Sequence, residues 1–93
     1  MTARKAPPQI QPPEYQIADA YAIQALAHGE ATPDMQQRAL RWIIEGAAAT
    51  YDQSFHPDSP HLTAFAEGRR FVGNQIVKMT KLDTRKLATV SKP

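Results

Sequence analysis

The sequence predicts an all-α fold: a small three-helix domain with an extended proline-rich N-terminal arm and a basic C-terminal tail. Apolar residues recur at helical spacing in three segments, and two of those segments open on a hydroxyl residue followed by proline. Prolines and basic residues are also segregated toward the two ends. The expected organisation is an arm over 1–13, a helical domain over 14–82 and a tail over 83–93. A chain of 93 residues allows one domain at most, and one this small buries a modest share of its surface.

The arm holds Pro7, Pro8, Pro12 and Pro13, with Ile10 as its only large apolar side chain. Proline fixes φ, lacks an N–H and pushes its predecessor toward extended geometry, so this stretch is expected to be extended and polyproline-like. The first helix is expected to open just after Pro13 and run to His28. Ile17, Tyr21, Ala25 and Leu26, with Ile23 beside them, form its apolar stripe, and Gly29 stands where a left-handed cap is wanted. The second has the clearest start: Thr32 as cap, Pro33 at the first helical position and Asp34 at the positive end of the dipole. Met35, Ala39, Trp42, Ile43 and Ala47 form a stripe widened by Leu40 and Ile44. Asp34–Arg38 and Arg41–Glu45 are spaced as surface ion pairs. Gly46 interrupts good helix formers, which points to a close helix crossing at Gly46-Ala47.

Residues 51–60, with Pro57, Pro60, Ser54, Asp58 and Ser59, read as an ordered loop with Tyr51 and Phe55 packed onto the helices. The third helix is expected to start at Ser59 (cap) and Pro60, and to reach about Leu82. Its stripe is Leu62, Phe65, Ala66, Val72, Gly73, Ile76 and Met79, flanked by Phe71 and Val77. Gly68 and Gly73 suggest close contact with another backbone. Beyond Leu82 the chain is basic, and either a short helix or a loose tail fits it.

The net charge of +2 hides a segregation. Residues 1–13 carry +2, residues 14–68 carry −6 and residues 69–93 carry +6. An acidic body with basic ends can meet acidic protein surfaces or phosphate at those ends. With no cysteine there is neither a disulfide nor a thiolate metal site. No apolar run is long enough to span a bilayer, and the start lacks the apolar core of a signal peptide, so no membrane association is expected.

Chemistry-bearing patterns are thin. His56, Asp58 and His61 lie close together with Asp52 nearby, but the histidines are five apart across two prolines, which suits loop residues better than a metal site. There is no Gly-x-Ser-x-Gly elbow, no phosphate loop and no cysteine nucleophile, so no enzyme, cofactor or small-molecule substrate is expected. The densest polar feature is Glu67-Gly68-Arg69-Arg70. Glu67 can pair with Arg70 one turn on. Arg69 falls on the apolar stripe, where a guanidinium must snorkel or find an acceptor: Asp19, Asp52 or a partner's acid. Phosphate contact by Arg69, Arg70, Lys78 and Lys81 is a further reading, although adjacent positions 69 and 70 cover more than one helix face.

The run Thr63-Ala64-Phe65-Ala66-Glu67-Gly68-Arg69-Arg70-Phe71-Val72-Gly73 resembles the signature of a family of small proteins encoded by tailed bacteriophages, often short-tailed ones. Ala39 through Ile44 and the loop from Tyr51 to Phe55 are compatible with it, so the resemblance covers roughly residues 18–82. It implies a non-catalytic virion or assembly protein, made in the host cytoplasm and docked on a larger structural protein in the portal or head–tail region, in several copies. The surfaces expected to serve are the arm (Pro7, Pro8, Ile10, Pro12, Pro13) and the basic positions Arg69, Arg70, Lys78, Lys81, Arg85 and Lys86. The alternative reading is a nucleic-acid-binding accessory to DNA packaging. An inhibitor of a host protein is a third.

Overall fold

A computed structural model describes residues 11–90 and places four α-helices there, with no strand among the described residues. They are α1 (Ile17–Ala27), α2 (Pro33–Arg41), α3 (Pro60–Lys81) and α4 (Thr84–Val90), and α2 runs straight into a π-helical segment, Trp42–Ala47. The three expected helices are present, and the tail forms the short helix α4. Of the arm, Pro7, Pro8 and Ile10 lie outside the described residues.

Helix starts and stops follow local chemistry. Thr32 Oγ1 accepts from Met35 N at 3.2 Å with Pro33 at the first position, and Ser59 Oγ accepts from Leu62 N at 3.1 Å with Pro60 following. Gly29 takes φ +73° after α1, and the N–H groups of Gly29 and Glu30 donate to Leu26 and Ala25 carbonyls at 3.1 and 2.8 Å. That is the two-bond left-handed close expected of glycine there. α1 begins later than Pro13, because the Asp19 carboxylate accepts the Gln16 N–H at 2.8 Å and fixes Gln16 as the cap.

The interior is the principal correction to the stripes. The buried apolar residues are Ala22, Ala39, Ala48, Ala49 and Ala66, and the largest fully buried side chain is Thr50. Ile17, Tyr21, Leu26 and Leu40 are exposed, as are Phe65, Phe71, Val72 and Met79. α1 and α2 pack through Ala22 and Ala39, both with no exposed surface. A helix with alanine on one side and larger side chains on the other has two candidate faces. Here the alanine face packs inward, because it lets the backbones approach closely.

The glycines separate three ways. A Cβ on Gly73 would overlap the Thr50 hydroxyl and lie 2.9 Å from Ala48 Cβ, so α3 meets residues 48–50 nearly backbone to backbone. Gly46 instead lies under the indole of Trp42, whose Cδ1 would be 3.3 Å from an added Cβ, so no helix crossing occurs there. Gly68 faces open space. Neither Tyr51 nor Phe55 is pinned; both are exposed. The loop is held by polar contacts: His56 N donates to Thr63 Oγ1 at 2.8 Å, and Ser54 Oγ donates to Glu67.

The π-helical segment joins the two parts of the fold. α1 packs on α2, whereas α3 packs on the π-helical segment and on no other helix to a comparable extent. The segment ends with Ala49 at φ 48° and with both the N–H and the hydroxyl of Thr50 on the Ile44 carbonyl, at 3.1 and 2.7 Å. This close is one residue wider than the usual left-handed cap, as expected where i→i+5 bonding has inserted a residue.

Candidate partner-docking surface

Two polar networks position the surfaces. In the first, Arg38 Nε donates to Asp19 Oδ1 at 2.8 Å and Arg38 Nη2 to Gln16 Oε1 at 2.9 Å, tying α2 to the start of α1. Arg38 thus serves Asp19 and not Asp34, and no Arg41–Glu45 pair forms among the described residues. Trp42 Nε1 donates to the Glu14 carbonyl at 3.0 Å, which anchors the described end of the arm next to α1. In the second, Arg70 Nη1 donates to Glu67 Oε2 at 2.6 Å and Arg70 Nε to the Thr50 carbonyl at 3.1 Å.

Both carboxylates are shifted by these contacts. The Asp19 carboxyl is held below its ordinary pKa by the Gln16 N–H and by Arg38. Glu67 is lowered by the Ser54 hydroxyl and by Arg70. Folding therefore favours the ionised forms. That contribution is fully present above the ordinary carboxylate range, about pH 4, and is lost as pH falls through the lowered folded values. Melting followed by circular dichroism should be flat from neutrality to about pH 5 and fall below it. The Asp19→Asn/Glu67→Gln double variant should show a smaller acid-induced fall.

The predicted residues divide accordingly. Pro12 is exposed and Pro13 half-buried, beside the anchored Glu14. Arg70 is committed to its own chain. Arg69 does not reach Asp19 or Asp52: its guanidinium lies over the Phe65 ring, 5.2 Å from the centroid, and its buried Nε has no acceptor. Lys78 and Lys81 are exposed near the end of α3, and Arg85 and Lys86 are exposed on α4, with Arg85 Nε 3.7 Å from Asp83. Most of the 63–73 run is thus occupied within its own chain. Thr63 holds His56, Glu67 and Arg70 hold the loop, Phe65 carries Arg69, and Gly73 admits Thr50.

Sequence reasoning missed two apolar surfaces. An open hollow of about 240 Å³ is lined by Tyr15, Asp19, Ala20, Ile23, Gln24 and Trp42. Along α3, Phe65, Val72 and Met79 stand seven residues apart on one exposed line, with half-buried Arg69 and Ile76 between them. The seven-residue spacing is visible in the sequence, but it reads equally well as core. No group of three or more His, Cys, Asp or Glu side chains converges among the described residues, and no described helix is long and apolar enough to cross a membrane.

The site is therefore a pair of apolar faces framed by charge on a small all-α chain. No protein family, no curated protein and no solved structure matches it.

Proposed function

We propose that this chain is a non-catalytic phage structural or assembly protein that docks on a larger virion protein, in the portal or head–tail region, through its arm and exposed helix faces. The observation that supports it is the inverted distribution of side-chain size: alanines inside, aromatic and large aliphatic residues outside. Isolated exposed apolar residues are ordinary on a monomer, but contiguous apolar surface rimmed by charge marks an interaction site. The virion setting rests on the motif resemblance at 63–73.

The test is deletion of residues 1–13. The helices should keep their circular dichroism, since the described contacts of α1 begin at Glu14 and Gln16. Binding to the particle or its portal complex should be lost. Unfolding on deletion, or binding that survives it, would overturn the assignment to the arm. The exposed Lys78, Lys81 and Lys86 favour the DNA-packaging alternative over the first reading if purified protein binds DNA with a steep negative salt slope, because each phosphate contact releases counterions.

A further inference from the structure

The two apolar faces carry opposite charge. The α3 face, with Phe65, Val72 and Met79 exposed, is flanked by Lys78 and Lys81 and continues into α4 with Arg85 and Lys86. Residues 69–93 sum to +6 and residues 14–68 to −6. The hollow on α1 is bordered by exposed Glu14, whose carbonyl holds Trp42. The adjoining depression shares Asp19 and Trp42 with it and adds Glu45. Arg38 is neutralised there by Asp19, which leaves Arg41 against these acids.

We infer that copies of this chain associate head to tail, the basic α3 face of one seated on the acidic-rimmed α1 hollow of the next. A face-to-face pairing of two α3 helices would bring like charges together. It would also set Arg69 against Arg69 near the middle of the helix, where the buried Nε already lacks an acceptor. The opposite face of another copy offers carboxylates to that guanidinium and a recess for a large α3 side chain. Gly68, with nothing within 4 Å of an added Cβ, leaves the α3 surface low beside Arg69 and permits close approach. The contact is heterologous: each copy keeps one free face of each kind, so association continues into a ring or filament instead of stopping at two. It uses residues 14–87 and not the arm, so it stands or falls independently of docking through residues 1–13.

The experiment is light scattering behind size exclusion on the full chain, over increasing concentration at low and high salt. The wild type should exceed dimer mass at low salt and shift toward monomer in high salt. Tyr15→Asp, at a residue 68% exposed in the hollow, and Val72→Asp, 54% exposed on α3, should each give monomer. Mixed in equal amounts they should form a dimer and nothing larger, because only one intact hollow and one intact α3 face remain per pair. Should either variant lose helicity, Lys78→Glu/Lys81→Glu, at exposed positions, should still give a folded monomer at low salt. A wild type that stays monomeric throughout overturns the inference. So does a dimer that persists in Tyr15→Asp, or a mixture that remains monomeric.

Discussion

Replacing Gly73 with alanine should destabilise the fold more than any other single-methyl change in the chain. The added Cβ would fall on the Thr50 hydroxyl and 2.9 Å from both Ala48 Cβ and Thr50 Cβ. Thr50 is not the free end of a flexible side chain. Its hydroxyl is fixed on the Ile44 carbonyl and its own carbonyl accepts from Arg70, so it cannot swing aside without giving up both bonds. α3 must instead back away, loosening its main attachment to the rest of the molecule. Overpacking of this kind costs about 1–3 kcal/mol, with any lost buried hydrogen bond adding about 1 kcal/mol. Glycine-to-alanine at an ordinary helix position goes the other way by up to about 1 kcal/mol, and Gly68→Ala, in open space, supplies that control. Thermal melts should show Gly73→Ala lower by on the order of 10 °C and Gly68→Ala unchanged or higher. Equal melting temperatures would show that α3 does not approach residues 48–50 as described.

Ala22→Leu should be the second severe substitution. Ala22 and Ala39 have no exposed surface, and they lie where α1 and α2 pack. A leucine at position 22 has no recess to enter, so it must push the helices apart and strain the Asp19–Arg38 and Gln16–Arg38 bonds beside it. A loss of about 1–3 kcal/mol is expected. Ala27→Leu, at the exposed end of the same helix, should be neutral. Both substitutions raise hydrophobicity equally, so the comparison isolates packing. Denaturant midpoints for the two variants check it.

These two positions also show which part of the fold was legible in the sequence. Caps were, because Thr32-Pro33, Ser59-Pro60 and Gly29 act within a turn of themselves. The existence of three helices followed from the same local signals and from spacing. The side chosen for packing was not, since α1 offers both an alanine line and a line through Ile17 and Tyr21. Only the partner helix, through Ala39, decides between them. Gly73 was singled out correctly as a close approach, whereas Gly46 and Gly68 carry the same letter with different surroundings. Of the surfaces, the charge segregation was legible and the hollow was not, because it depends on Trp42 reaching Glu14 across 28 positions of sequence. The π-helical turn leaves no compositional mark: an inserted residue changes hydrogen-bond partners, not residue type.

That turn has a mechanical consequence. Because α3 meets the rest of the molecule chiefly at the Trp42–Ala47 segment and the residues just after it, bending between α3 and the α1–α2 pair concentrates there as at an elbow. A π turn suits an elbow: it holds one residue of slack, which can be taken up into α-helical winding at the cost of a roughly 100° change in the direction of the chain beyond it. The angle between the two apolar faces, and with it the curvature of any array they build, is therefore set by a single turn of backbone.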